Sequence, residues 1–474
     1  MVERGSVYFI ECGLSVHNGT GWASFRRAER GEAVKAIATI DPAVAAEIPP
    51  TPYSEVASVD LRLGIVSDLK SFLSNDTIVL SFSERDRKQS LVRILPSGDW
   101  QKIFIGDVRN ADFCGYEISN GEQYFYFLTD TSQKRVVVNA IHIDRTAKKR
   151  ELLLNQIIID DPIVDIINNN GLTVVTYDAK SNSLQLIDIN KCGIVRKDDI
   201  LVFRHVDVNK AENFDVVQAG VTGRFYDMPG RAQIYIDRDL VRVIYDDLTT
   251  IIRYDRATKR RSLADFARTG EGKFRSFVSD SLLFRLTTSK DQFVFQVFNA
   301  SNGRSLALRS LKKEKQLADQ RVYYHHRQKE EKSKDETMYR MIGQSESTQP
   351  AIIAQKISPG KYAFTWGTFF DERKGLGVVV SPNPVAMVVG SVLWTAARSA
   401  AKRPSVSRYS FATFDGNEFA LTKDGGIVFK KIDDYEIEYK EKIICGNLIK
   451  NPLEGFVFVE DRKAQKLKVL KFGN

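Results

Sequence analysis

Along most of this chain, apolar and aromatic residues come in short runs, each closed by a polar turn and followed by another run. Gln123–Leu128 (QYFYFL) gives way to Arg135–Ile143 (RVVVNAIHI), Leu172–Tyr177 to Ser183–Ile189, Val241–Tyr245 to Thr249–Tyr254, and Ser281–Thr287 to Gln292–Phe298. Runs rich in Val, Ile, Phe and Tyr, punctuated by Asn, Asp, Gly and Ser, predict antiparallel hairpins, because branched and ring side chains pack well on a pleated surface. Further runs at Ile78–Phe82, Leu91–Leu95, Lys102–Ile105, Tyr362–Phe370, Tyr409–Phe414, Ile427–Ile432, Phe456–Val459 and Leu467–Phe472 carry the same rhythm to the C-terminus.

The rhythm contains a repeat. The segment from Ile143 through Asp144-Arg145-Thr146-Ala147-Lys148-Lys149-Arg150 matches that from Tyr254 through Asp255-Arg256-Ala257-Thr258-Lys259-Arg260-Arg261, and looser copies begin at Asp188 and Asn299. Asp or Asn at a strand exit suits a turn, since its short side chain can bond the backbone two residues on. A unit of about 40–50 residues holding four strands is the size of one propeller blade. The chain is therefore read as all-β and resembles a β-propeller of seven or eight blades. Two packed β-sandwich domains are the competing architecture.

On this reading residues 1–27 form an N-terminal hairpin that closes the ring, and 28–75 an Ala- and Pro-rich connector. Residues 76–309 hold the first set of blades, 310–349 a charged and partly helical insert, and 350–474 the remaining blades. The insert carries Lys312, Lys313, Glu314, Lys315, Lys329, Glu330, Glu331, Lys332, Lys334, Asp335 and Glu336, with weak apolar periodicity. Such an excursion from a β fold reads as a solvated surface arm able to dock a partner. A second break, Gly375–Ala397, is uncharged and has the length of a membrane span. Its centre, Val378-Val379-Val380-Ser381-Pro382-Asn383-Pro384-Val385, reads instead as two β-branched runs around a turn, since the two prolines would break a helix. Val385, Met387, Val388, Leu393 and Trp394 in this segment are candidate apolar contacts for another subunit.

Charge and cysteine usage narrow the picture slightly. Lys and Arg number 69 against 60 Asp and Glu, a net charge of +9 that permits an anionic partner without requiring one. Cys12, Cys114, Cys192 and Cys445 are scattered without paired spacing, which argues against a disulfide framework or zinc site. The N-terminus lacks the apolar core of a secretory signal, so an intracellular, cytoplasmic protein with no membrane insertion is expected.

The search for chemistry yields one patterned signal. The sequence has no nucleophile elbow, zinc-binding HExxH, P-loop or dinucleotide-binding glycine pattern. His325 and His326 fall in the charged insert, and the acid pairs Asp160-Asp161, Asp198-Asp199, Asp246-Asp247 and Asp433-Asp434 border strands, where turn capping accounts for them. The basic clusters Lys148, Lys149, Arg150 and Lys259, Arg260, Arg261 occupy one place in the repeat, so a propeller would project them on one face. Arg196-Lys197, Arg462-Lys463 and Lys466 are candidates to join them. Shared basic turns attract nucleic acid or anionic membrane in a salt-sensitive way, though lysine-rich turns also simply protect sheet edges. The expectation is a non-catalytic interaction platform or structural subunit of a larger assembly. It has no cofactor, no small-molecule substrate and no catalytic or metal site. Binding of nucleic acid or anionic membrane is the alternative, and an enzyme with a central-channel pocket a second one.

Overall fold

The computed structural model describes most strands and turns between Ile10 and Gly473. The longer stretches outside the description are 1–9, 41–52, 144–149, 204–213, 219–231, 314–320, 327–335, 371–405, 423–427 and 436–442. By internal contacts the chain forms two units, Met1–Ser54 and Glu55–Asn474. In the first unit, Ile10–His17, Thr20–Glu29 and Glu32–Ile40 make a three-stranded antiparallel meander.

The second unit carries seven successive sheets among the described residues. The first is Ser67–Ser74, Thr77–Ser83, Gln89–Ile94 and Trp100–Gly106. The second is Ala111–Ser119, Glu122–Asp130, Val136–Ile143 and Arg150–Ile159, and the third Ile163–Asn168, Leu172–Asp178, Ser183–Asn190 and Gly193–Leu201. The fourth runs Ala232–Asp237, Leu240–Tyr245, Thr250–Asp255 and Arg260–Asp265, with Phe214–Gln218 added in parallel to its first strand. The fifth is Lys273–Ser279, Leu282–Thr288, Gln292–Asn299 and Ser305–Lys312. Ile443–Asn451, Glu454–Asp461 and Lys466–Gly473 begin the seventh, and its fourth strand is Tyr53–Asp60, from the far end of the chain.

Buried side chains join the first six of these sheets in sequence order. One core cluster draws Val79 and Leu91 from the first sheet and Phe113 and Phe125 from the second. Others link second to third (Tyr126 with Val174), third to fourth (Leu186 with Val243), fourth to fifth (Ile251 with Phe298) and fifth to sixth (Phe293 with Trp366). The last sheet packs on the first through Phe458, Val469, Leu80 and Val92. Sheets stacked face to face in order, with the last returning to the first and completed by a strand from the other end of the chain, make a closed β-propeller. Sheet-on-sheet stacking also explains the unbroken apolar runs. A middle strand such as Gln292–Asn299 is buried on both faces, so alternation is lost there and survives only towards the rim.

Three boundaries differ from the sequence reading. Ring closure falls to Tyr53–Asp60, while the N-terminal hairpin pairs with Glu32–Ile40 in its own sheet. The segment 28–75 is therefore no connector but holds three strands, Glu32–Ile40, Tyr53–Asp60 and Ser67–Ser74, and its prolines fall between them. The 310–349 segment is also no free-standing arm. Its start, through Lys312, is the outer strand of the fifth sheet, and Arg321–His326 pairs antiparallel with Val406–Tyr409 of the sixth. A one-and-a-half-turn helix, Met338–Gly343, buries Met338, Met341 and Ile342 in the core shared by those two sheets. The charges that suggested an arm cluster mainly at 314–320 and 327–335, on either side of Arg321–His326 in the sequence.

The sixth sheet is consequently composite. Gln349–Ser358, Lys361–Phe370 and Val406–Phe414 form its inner strands. Two short strands share the outer edge of the third: Arg321–His326 along Val406–Tyr409, and Phe419–Thr422 along Phe411–Phe414. Among the described residues no helix is long and apolar enough to cross a membrane.

Candidate interaction surface

Lys259 is the basic residue singled out above whose surroundings are best defined, and its half-exposed side chain is paired with a buried acid. It ends the turn between the third and fourth strands of the fourth blade, in the left-handed region at φ 59°. Asp255 begins that turn by accepting the backbone N–H of Thr258 at 2.8 Å, as expected of Asp at a strand exit. The ammonium of Lys259 donates to Asp198 Oδ1 of the preceding blade. Arg256 Nε donates to Asp198 Oδ2 at 2.6 Å, and Arg256 Nη2 to Asp188 Oδ2 at 2.8 Å. Arg196 donates through Nε to Asp198 at 2.9 Å and through Nη1 to Asp239 at 2.8 Å.

Three acids and three bases therefore stitch the third blade to the fourth, with no net charge to offer a partner. Burial pushes the Asp198 carboxyl up, but Lys259, Arg256 and Arg196 outweigh it and hold the group below the usual carboxylate range. Asp198 and Asp199 are not capping acids at a strand border. Instead both lie inside Gly193–Leu201, where alternation turns Asp198 inward with Ile200 and Asp199 out to solvent. The missed signal was that alternation, because an acid on the apolar face of a strand needs a base opposite.

Of the other nominated bases, Arg196 meets Lys259 at the shared Asp198. Arg261 lies over the Phe203 ring at 5.5 Å, and Arg260 is exposed. Lys148 and Lys149 fall outside the described residues, and Arg150 opens the strand Arg150–Ile159. Arg196-Lys197 sit within a fourth strand rather than a turn. Arg462-Lys463 occupy a turn between second and third strands, and in an antiparallel meander such turns fall on the opposite face from those joining third and fourth strands. The candidate apolar contacts Val385, Met387, Val388, Leu393 and Trp394 lie outside the described residues.

Other polar groups, buried at Glu117 and Asp246 and exposed at Asp280, also link neighbouring blades. Glu117 of the second blade accepts the Tyr126 hydroxyl and, at 3.1 Å, the backbone N–H of Lys191 in the third. Burial, followed by the Glu117 carboxylate, pushes the Tyr126 phenol well above its ordinary range. Asp246 of the fourth blade accepts the backbone N–H of Ser276 in the fifth at 3.0 Å, and burial raises its carboxyl despite nearby Arg275. Asp280 of the fifth blade accepts Lys356 Nζ of the sixth at 2.8 Å. Among the described residues no group of three or more His, Cys, Asp or Glu side chains is placed to hold a metal ion.

Most of the exposed large aliphatic side chains lie on outer strands, with Leu95, Leu248 and Leu453 as exceptions. Ile158 of the second blade, Ile194, Val195 and Leu201 of the third, Leu263 of the fourth and Leu306 and Leu308 of the fifth are all exposed. Every one sits on the last strand of its sheet, the edge to which no further described strand is added. Sequence reading missed these positions because a lone Leu or Ile in a strand is ordinarily assigned to the core. What gives them away is their place in the outermost strand.

No protein-family model and no curated protein matches the chain. Among solved structures, YCF48 bound to a D1 peptide is 7% identical over 90% of this chain and 97% of its own, with a TM-score of 0.35. Apo AztD from Citrobacter koseri is 10% identical over 63% of this chain and 72% of its own, at 0.28. An apocarotenoid oxygenase from Synechocystis is 12% identical over 64% and 70%, at 0.27. What places this chain among the β-propellers is the order and closure of its own sheets.

Proposed function

We propose that the chain is a non-catalytic platform that binds protein partners, as a structural subunit of a larger assembly. The observation that carries this reading is the series of exposed aliphatic side chains on the outer strands of four consecutive blades. Exposed apolar surface on unpaired sheet edges is a liability that proteins ordinarily suppress, and a bound partner is what removes it. The inter-blade ion pairs supply the rigid frame, and the rim supplies the contact. Basic turns serving nucleic acid or anionic membrane are the weaker reading, because Lys259 is spent on Asp198.

The test is recovery of partners from the native source with the intact chain and with a Val195→Asp, Leu263→Asp, Leu306→Asp variant. The substituted positions are exposed, so the variant is expected to melt like the parent while losing proteins that the parent retains. If the parent retains none, or the variant keeps them all, the platform reading fails.

A further inference from the structure

We propose that the outer strand of the fifth blade, Ser305–Lys312, receives an acidic, aliphatic segment of a partner protein as an additional β-strand. This rests on the platform reading and narrows it to one edge and one chemistry. The strand is last in the order of its sheet, and six of its eight residues are exposed. Leu306, at the register shift, is 44% exposed and Leu308 55%, and in the regular stretch from Ala307 alternation sets Leu308 on one side of the strand. On the other side Leu311 enters the core and Arg309 reaches the Phe419 carbonyl of the sixth blade.

The backbone is set to accept a strand. Gly303, at φ 73°, turns the chain so tightly against the Asp265 carbonyl that a Cβ there would lie 2.1 Å from it. The register shifts once, between Val297 and Phe298, and from Ala307 to Lys312 the pairing is regular. Lys313 N–H donates inward to the Asp291 carbonyl at 2.8 Å. Alternation then points the N–H and C=O groups of Leu308, Ser310 and Lys312 away from the sheet.

Charge selects the occupant. From Arg304 to Lys313 the sequence RSLALRSLKK holds four bases and no acid. By contrast the outer strands of the third and fourth blades carry their own aspartates, and the closing strand Tyr53–Asp60 is acidic. An extended segment with carboxylates flanking aliphatic residues would pair its charges with Arg304 and Lys312 and lay its side chains beside Leu306 and Leu308. The chain already uses this mode of addition one blade further on. There Arg321–His326 extends the edge of Val406–Phe414, and Glu336–Thr337 extends Arg321–Val322 in turn.

Fluorescence anisotropy on the intact chain decides the matter. The probes are a labelled peptide of alternating Glu and Val, the same peptide with Lys for Glu, and vesicles of phosphatidylserine and phosphatidylcholine. Saturable, salt-sensitive binding of the acidic peptide alone is expected. Ser310→Pro removes an outward N–H without touching the blade's own ladder, and should abolish that binding while the melting temperature holds. Leu308→Asp, at an exposed position, should do the same by charge and lost packing. The proposal is overturned if the acidic peptide does not bind, if both variants bind it like the parent, or if only vesicles bind. Partners that the parent retains from the native source and Ser310→Pro also retains would leave the platform standing and remove this edge from it.

Discussion

Asp198 has a side chain with no exposed surface, and its guanidinium partner Arg256 is 4% exposed. Breaking such a pair from one side strands the other charge in the interior, at a cost of about 3–5 kcal/mol. Asp198→Asn should therefore lower the denaturant midpoint substantially. Lys259→Ala should cost less than about 1 kcal/mol, because its side chain is 53% exposed and solvent screens it. The pH dependence has a definite sign. The folded-state pKa of Asp198 is depressed, so its contribution is complete above the unfolded value near ~3.9 and is lost as pH falls through the folded one. Asp198→Asn should flatten stability against pH on the acid side, and an unchanged acid limb would refute the clamp.

At the scale of elements, the strand Arg321–His326 and the helix Met338–Gly343 are parts of the fold. Met341 is fully buried, so Met341→Ala should cost about 2–5 kcal/mol. Excising 321–343 should cost the cooperative thermal transition of the intact chain. A Met341→Ala protein that melts like its parent would return the segment to the status of an insert. The inner strands were legible in the sequence because they are buried on both faces, and Gln123–Leu128 or Leu282–Thr288 announce themselves as unbroken apolar runs. The outer strands were not. Ser305–Lys312 mixes exposed leucines with lysine and arginine, and a boundary placed at Ser310 cut it in two. Turn chemistry was also legible, since Asp255, Asp178 and Asp461 all bond backbone amides two or three residues on. The partner of Lys259 was not, because it lies 61 residues away on another blade and depends on the stacking of whole sheets.

For the molecule as a whole, stability hinges on one seam. Tyr53–Asp60 is the outer strand of the last blade, and Val59 and Ala57 enter the cluster that joins that blade to the first. Val59→Asp places a charge in a fully buried site and should loosen this seam before any other interface. Hydrogen exchange should show early loss of protection in Lys466–Gly473, with Leu282–Thr288 on the far blades still protected. Uniform loss across all blades would contradict a seam.

That closure has a temporal side as well. The segment that finishes the last blade leaves the ribosome well ahead of its pairing partner Lys466–Gly473. At about 5–20 residues per second, synthesis leaves it waiting for roughly 20–80 s with Ala57 and Val59 uncovered. Nascent chains stalled before residue 466 should therefore be held by chaperones at Tyr53–Asp60, and released when translation resumes.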